Sequence, residues 1–180
     1  MSYTVIGGPA SLDLAKKIAK KLDAKYIKSQ LQVFPDGESK LTLHDKPKKG
    51  KIVVVQSTFP PVDSNLIHAF SLISKAKQYS SQVIAVIPYL AYMRQDIEFL
   101  KGEIVTSQVI ARSLKTVGAS KIIVVDIHSK LALNYFGMPV KNISAVPKLA
   151  NYSKKMRLKN PLVVAPDLFW SSHEIGRAHV

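Results

Sequence analysis

The sequence contains no cysteine, which excludes disulfide bonds and metal sites built on thiolates. It also has no run of about 18 apolar residues, the length that a membrane-spanning helix needs. Its first residues lack the basic start and the long apolar core of a signal peptide. These absences fit a cytoplasmic protein, and we predict no membrane span.

Acidic residues are scarce, with 12 Asp and Glu against 26 Lys and Arg, which gives a formal net charge of +14. The lysines fall on predicted helix faces and in turns, without interleaved aromatic residues and without an RNA-binding signature. We interpret them as a lysine-rich solvated surface, with steering of anionic substrates as the functional alternative. A nucleic-acid partner is the least favoured interpretation, and we predict none.

Apolar stretches of strand length alternate along the chain with amphipathic stretches. The apolar stretches are YTVIGG, KIVVVQST, SQVIAVIPYL, SKIIVVDIHS and NPLVVAPD. Between them, apolar residues recur at helical spacing, as at Leu66, Phe70, Ile73 and Ala76, and Ser11 is a candidate cap of the first helix. Strands rich in Val and Ile that alternate with helices predict an α/β fold, an open parallel sheet with helices on both faces.

Polar and chargeable residues follow several of these strands at their carboxyl ends. The strand ends read VVVQST, VIPYLAYMRQD, VVDIHS and VVAPD. Ligands of open parallel sheets bind in the crevice beyond the carboxyl ends of the strands. The sequence therefore predicts a binding site at this edge of the sheet.

Only four of the 26 basic residues are arginines, and one of them, Arg94, directly follows a predicted strand. A guanidinium group is a planar fork that can hold two phosphate oxygens at once or stack on a base, which lysine cannot do. The position of Arg94 therefore favours a role in ligand binding. The alternative is a surface ion pair between Arg94 and Asp96.

The stretch VVDIHS places Asp126 and His128 two residues apart, hence on one side of an extended segment. With Asp167 as a second carboxylate, they could hold a divalent ion such as Mg²⁺, which shares its coordination with phosphates. A capping Asp with a hydrogen-bonded His explains the pattern equally well. His68 is interpreted as a hydrogen-bonded helix residue and His44 as a surface residue at a strand end.

The stretch VFPDGES lies between two predicted strands and has the composition of a hairpin turn. This interpretation accounts for Pro35 and Gly37. It does not account for Phe34 and Glu38, an aromatic ring and a carboxylate that could stack on a base and accept a hydrogen bond from its amino group. The turn is the favoured interpretation of this stretch alone.

The ordered set of segments resembles the family of ribose-phosphate pyrophosphokinase, also called phosphoribosyl pyrophosphate synthetase. The matching segments are GGPAS, FPDGES, VVQSTFPPVDSNL, VIPYLAYMRQD, GEIVTSQVIARSL, VVDIHS, NISAVPKLANY and VVAPD. The resemblance implies a phosphoribosyltransferase-like fold and a transferase of nucleotide biosynthesis. Such an enzyme transfers pyrophosphate from Mg-ATP to ribose 5-phosphate, which gives phosphoribosyl pyrophosphate and AMP.

The resemblance also implies roles for single residues. By position, the ATP-binding residues are Phe34, Asp36, Gly37, Glu38, Arg94 and Gln95, and the Mg²⁺ ligands are His128 and Asp167. In this family the loop that contains Phe34 reaches the ATP site of a neighbouring subunit, so the resemblance implies a homo-oligomer.

The resemblance ends after Asp167. The family has two similar domains, and we expect an ATP-side domain at 1–146, then a linker helix and the first strand of a second domain at 147–167. The segment 168–180 departs from the family, and its last residues match the translation of a common sequencing adapter, so we expect a non-native tail.

The sequence lacks the catalytic Lys-Arg segment and the Thr-Gly-rich phosphate loop of the family. We therefore expect no catalytic residue in this chain and no turnover from the chain alone. Two other functions stay open, a non-catalytic regulatory homologue and a phosphoribosyltransferase. A phosphoribosyltransferase would need the phosphate loop within this length.

Overall fold

The computed structural model describes residues 2–156. The strands are β1 (Tyr3–Gly7), β2 (Lys25–Val33), β3 (Ser39–Leu43), β4 (Lys51–Val55), β5 (Val83–Ile87), β6 (Lys121–Val125) and β7 (Val140–Ile143). The α-helices are α1 (Leu12–Lys21), α2 (Val62–Lys77), α3 (Thr106–Thr116) and α4 (Val146–Lys155), with 3₁₀ turns at Pro9–Ser11 and Leu131–Tyr135. The predicted strand NPLVVAPD, with Asp167, lies outside the described residues.

The chain forms two compact units, Met1–Ser144 and Ala145–Val180. The first unit contains the whole sheet and the helices α1 to α3, and the described part of the second contains α4. Within residues 2–156, none of the helices has the length and apolar character needed to cross a membrane. The finer domain boundaries, and the nature of the segment 168–180, stay predictions.

The seven strands form one sheet in the order β3-β2-β1-β4-β5-β6-β7. All neighbouring strands are parallel except β2 and β3, which form an antiparallel hairpin. From β1 the chain first adds strands on one side and then, from β4 onward, on the other. The switch point of the topology therefore lies between β1 and β4.

Helices cover both faces of the sheet, which confirms the predicted α/β fold. On one face Ala15 and Ala19 of α1 pack with Val53 and Val55 of β4. On the other face α2 and α3 pack over the intervening strand residues, for example Ile52. Because side chains alternate along a strand, the Val/Ile run of β4 supplies both cores. The predicted inner face of α2 is also confirmed, with Leu66, Ile73 and Ala76 buried and Phe70 half-buried.

Two elements differ from the sequence-based expectation. Strand β7 was not predicted, because Lys141 and Asn142 interrupt its apolar pattern and it lies at the exposed edge of the sheet. Helix α2 begins at Val62, within the stretch FPPVDSN (residues 59–65), whose prolines and small polar residues predict a loop. Pro61 stands just before it, where a missing backbone N–H removes no helical hydrogen bond.

Candidate functional site

The carboxyl ends of β1, β4, β5 and β6 lie at one edge of the sheet. Three of the four strand ends predicted to meet there follow β4, β5 and β6, and the fourth, VVAPD, lies outside the described residues. We call the residues that follow β1 and β4, 8–11 and 56–58, the closed half of this edge. The residues that follow β5 and β6, 88–96 and 126–129, are the open half. The two halves differ in what their polar groups contact.

In the closed half a buried glutamine joins three segments. Gln56 is 1% exposed. Its Oε1 accepts a hydrogen bond from the Ala10 N–H at 3.3 Å, and its Nε2 donates to Asn65 Oδ1 and to the Ser57 carbonyl, both at 3.0 Å. Asn65 Nδ2 in turn donates to the Phe59 carbonyl at 2.7 Å. Every polar atom of the Gln56 side chain therefore has a partner within the chain.

The backbone at Gly8 fits closely around this glutamine. A Cβ atom built on Gly8 would lie 2.0 Å from Gln56 Oε1 and 2.9 Å from Leu72 Cδ1. Nearby, the Ser57 N–H donates to Ser11 Oγ at 2.9 Å. Ser11 occupies the N-cap position of α1, as predicted, but its side chain makes no capping hydrogen bond, and its hydroxyl instead contacts the segment after β4. The chain's own polar groups therefore fill the switch point of the topology.

Thr58 connects the two halves. It is fully buried, and both its N–H and its hydroxyl donate to the Tyr89 carbonyl, at 2.9 and 2.8 Å. Its hydroxyl oxygen also accepts from the Ala91 N–H at 2.7 Å. These bonds hold the start of the loop after β5 against the end of β4.

Tyr92 has an unusual backbone conformation in this loop. Its φ angle of 66° lies in the left-handed region, which is uncommon for a residue with a side chain. The Tyr92 hydroxyl donates to the Asp63 carboxylate on α2, and this bond raises the pKa of Tyr92. The Gln95 N–H donates to the Tyr92 carbonyl at 3.1 Å, which closes a tight turn. Arg94 lies within this turn and is exposed.

The residues around Arg94 are fixed by their backbone. The Gln95 carbonyl accepts from the Ser107 N–H at 3.2 Å, and the Asp96 carbonyl accepts from the Tyr135 hydroxyl at 2.8 Å. The Thr106 hydroxyl donates to Gln95 Oε1. Arg94 and Asp96 form no salt bridge, and no described residue hydrogen-bonds to the guanidinium group. The alternative interpretation as a surface ion pair is therefore not supported.

The segment after β6 is not extended, contrary to the prediction for VVDIHS. Strand β6 ends at Val125, and Asp126 has a left-handed φ of 42°. The Asp126 N–H donates to the Ile143 carbonyl at 2.9 Å. Asp126 is half-buried and His128 is exposed. Both lie in the open half, whereas Asp167 lies outside the described residues.

In the part of the chain from residue 2 to 156, no three His, Cys, Asp or Glu side chains lie close enough to hold a metal ion together. Asp126 and His128 offer one carboxylate and one imidazole on the same loop. This donor set does not form a closed cage. It fits an ion such as Mg²⁺ that takes its other ligands from phosphate oxygens and water.

The tip of the β2–β3 hairpin, residues 34–38, is the remaining predicted element. Glu38 N–H donates to Asp36 Oδ1 at 3.0 Å, and Gly37 has a left-handed φ of 91°. The turn interpretation thus accounts for Asp36 and Gly37. Phe34 is 37% exposed and Glu38 is exposed, and neither side chain hydrogen-bonds or stacks within the described part of the chain. Their roles stay predictions.

Sequence reasoning missed Gln56, Asn65 and Thr58. Gln56 and Thr58 lie within three residues of the end of β4, and this strand end was predicted only to contribute ligand contacts. A buried hydrogen-bond network leaves no periodic signal in the sequence. Only the tertiary contacts distinguish these polar residues from ligand-binding ones.

The fold and the polar edge define an open α/β domain of the class that binds ligands beyond the carboxyl ends of its strands. A profile described as the N-terminal domain of ribose phosphate pyrophosphokinase matches residues 3–118. The chain belongs to this family.

Individual relatives agree with this assignment. The chain is 37% identical over 164 residues to a ribose-phosphate pyrophosphokinase of Methanobrevibacter smithii. The matched region covers 91% of the chain and 55% of that protein. The chain is 31% identical over 159 residues to the ribose-phosphate pyrophosphokinase of Bacillus caldolyticus. That match covers 88% of the chain and 50% of the relative. The chain thus spans about half the length of the curated relatives it matches.

A solved structure is similar as well. It is the crystal structure of phosphoribosylpyrophosphate synthetase from Mycobacterium smegmatis, with a TM-score of 0.78 and 27% sequence identity. The match covers 86% of this chain and 52% of that chain.

Proposed function

We propose that this chain is the ATP-side domain of a ribose-phosphate diphosphokinase that serves nucleotide biosynthesis in the cytoplasm. The anomeric hydroxyl oxygen of ribose 5-phosphate attacks the β-phosphorus of ATP and loses its proton. The bond from the β-phosphorus to the oxygen retained by AMP breaks, which releases AMP and leaves phosphoribosyl pyrophosphate. This chain would bind the nucleotide, and we assign none of its residues a catalytic role.

The observation that carries the proposal is that Arg94, in the open half, combines a fixed backbone with an exposed side chain. Its backbone is held on both sides, by Tyr92 and by the contacts of Gln95, while its guanidinium group is exposed and has no described partner. An exposed guanidinium on a fixed backbone suits phosphate binding, because the side chain is free to reach the phosphate and the backbone, already held, loses little further entropy on binding.

Gln95 complements Arg94. Its Oε1 already accepts a hydrogen bond from Thr106, so its amide NH₂ group remains to donate to a nucleotide oxygen. Together the two side chains would supply donors only, as an anionic triphosphate requires.

Magnesium would bind on the neighbouring loop. Asp126 and His128 would hold it, with Asp167 as the third predicted donor outside the described residues. When bound, the ion neutralises charge on the phosphates and fixes their orientation. The two loops follow adjacent parallel strands, β5 and β6, which supports a single nucleotide site.

The second partner would be another copy of this chain. The hairpin tip exposes Phe34 and Glu38 at the β3 edge of the sheet, whereas Arg94 follows β5, three strands away from β2. A homo-oligomer in which the hairpin of one subunit contacts the adenine bound by its neighbour would bring these residues together.

The test is calorimetric titration of the chain with Mg-ATP. Arg94→Lys keeps the charge but removes the planar fork, and we expect about tenfold weaker binding, equivalent to ~1.4 kcal/mol. Arg112→Lys is the matched control, since Arg112 is exposed on α3 and hydrogen-bonds to Gln108. No Mg-ATP binding by the unmodified chain, or equal losses in both variants, would contradict the proposal.

A further inference from the structure

The β2–β3 hairpin becomes steadily more exposed toward its tip. On one face of β2 the exposed fraction rises from 2% at Ser29 to 36% at Leu31 and 62% at Val33. Their partners on β3 are Leu43, Leu41 and Ser39. Leu41 and Leu43 are half-buried and pack against the core. The base of the hairpin is thus held by apolar contacts that end before its tip.

One polar contact follows these apolar contacts along the same face of β3. His68 Nε2 lies 2.9 Å from Ser39 Oγ. Ser39 is the first residue of β3, directly after Glu38, and is exposed. His68 lies on α2 and is only 4% exposed. The buried ring therefore contacts the hairpin at the point where the hairpin leaves the domain.

The environment of the ring selects its tautomer. His68 Nδ1 has no hydrogen-bond partner among the described residues. A buried N–H without an acceptor costs more than a buried lone pair without a donor. The proton therefore sits on Nε2, which donates to Ser39 Oγ. Burial also lowers the pKa of His68, which keeps the ring neutral.

We propose that His68 is a positioning residue, which through Ser39 fixes the direction in which the hairpin tip, residues 34–38, projects from the domain. The inference rests on the proposed function, because that function makes the tip the adenine-contacting element of a neighbouring site. A tip that must reach another subunit needs a defined direction, since each wrong direction lowers the fraction of the chain that is competent to bind.

The absence of cysteine makes this inference directly measurable with spin labels. One label is placed at the tip with Pro35→Cys and a second on the outer face of α2 with Ser74→Cys, both exposed positions. Electron-paramagnetic-resonance distance measurements then give the spread of tip positions. The control pair Lys16→Cys and Ser74→Cys joins two helices within the same compact unit.

Three variants are compared in both labelled backgrounds. Ser39→Ala and His68→Leu remove the hydrogen bond, and we expect a broader tip-to-helix distance distribution with an unchanged control pair. His68→Gln keeps an N–H donor near the position of Nε2, and we expect it to restore the narrow distribution. Since Ser39 is exposed, Ser39→Ala is expected to keep the melting temperature of the parent chain, so the tip can be tested in a folded protein.

The proposal is overturned if Ser39→Ala leaves the tip distribution as narrow as in the parent chain. It is also overturned if the distance distribution of the control pair broadens to the same extent. A tip distribution as broad in His68→Gln as in His68→Leu would overturn it as well. The measurement needs no nucleotide, so its failure is distinct from failure of the proposed function. Absent Mg-ATP binding with a tip that broadens as expected would contradict only the proposed function.

Discussion

Gln56 and Gln95 follow parallel strands at the same edge of the sheet, and their surroundings are opposite. Gln56 is buried, and both of its amide atoms bind other segments of the chain. Gln95 is exposed, and of its two side-chain amide atoms only Oε1 has a partner among the described residues. The comparison separates two uses of polar residues at strand ends. In the closed half Gln56 joins the segments that follow β1 and β4, whereas in the open half the amide NH₂ group of Gln95 has no hydrogen-bond partner among the described residues.

The general rule places ligands at the switch point of an open α/β sheet. Here that point lies between β1 and β4, where Gln56 and the backbone at Gly8 fill the space. The predicted nucleotide contacts follow β5 and β6 instead. Side chains from the chain itself can therefore occupy a crevice that the topology creates.

Among the substitutions that test this comparison, Gly8→Ala is expected to change the free energy of unfolding most. The new methyl group would lie 2.0 Å from Gln56 Oε1, and the φ of Gly8, −78°, is ordinary, so the cost comes from the clash alone. We expect a loss of about 3 kcal/mol in the free energy of unfolding, measured by urea denaturation.

A double-mutant cycle isolates the cause of that loss. Gln56→Ala makes room for the methyl group, so Gly8→Ala should be less harmful in the Gln56→Ala background than in the parent chain. Additive losses in the free energy of unfolding would show that the two residues do not interact, which would contradict the close packing of Gly8 against Gln56.

A matched pair of glutamine substitutions gives the next largest effect. Gln56→Leu leaves the Ala10 N–H and Asn65 Oδ1 without their partner, and we expect a loss of about 2 kcal/mol in stability. Gln95 is exposed, so for Gln95→Leu we expect the free energy of unfolding to change by no more than about 0.5 kcal/mol. Thermal and urea unfolding of both variants check the prediction, which equal losses would contradict.

The smallest effect is on the pH dependence of stability. Burial lowers the pKa of His68 below its ordinary value of 6.5, so the folded state binds a proton less readily than the unfolded state. Stability from this group is present above pH 6.5 and is lost as pH falls from there through the lowered pKa. In His68→Gln this part of the slope should vanish. The check is the free energy of unfolding of both proteins, measured at several pH values below 6.5. The same pH dependence in the parent chain and in His68→Gln would contradict the assignment.

Much of the fold follows from local sequence patterns. The Val/Ile runs at β1, β4, β5 and β6 and the turn chemistry of Asp36 and Gly37 were sufficient to predict a parallel sheet with one hairpin. Strand β7 escaped prediction because its position at the sheet edge requires no apolar run. Its place is set by pairing with β6, a tertiary contact.

The candidate site was less predictable than the fold. Topology brings Arg94 and His128 to the ends of adjacent strands, as the sequence suggested, but the left-handed backbone at Tyr92 and Asp126 was not foreseen. Tyr92 is not a residue type that favours this conformation, whereas aspartate, the residue at 126, adopts it more often than most. The distinction between Gln56 and Gln95 likewise depends on burial, which a single sequence does not display at polar positions.

The division of the edge is tested most directly by following backbone amide resonances during titration with Mg-ATP. We predict that the shifts concentrate in the open half, at Arg94, Gln95 and the residues 126–129, and that Gly8, Gln56 and Ser57 stay unchanged. Shifts centred on Gly8 and Gln56, with Arg94 unaffected, would contradict the account.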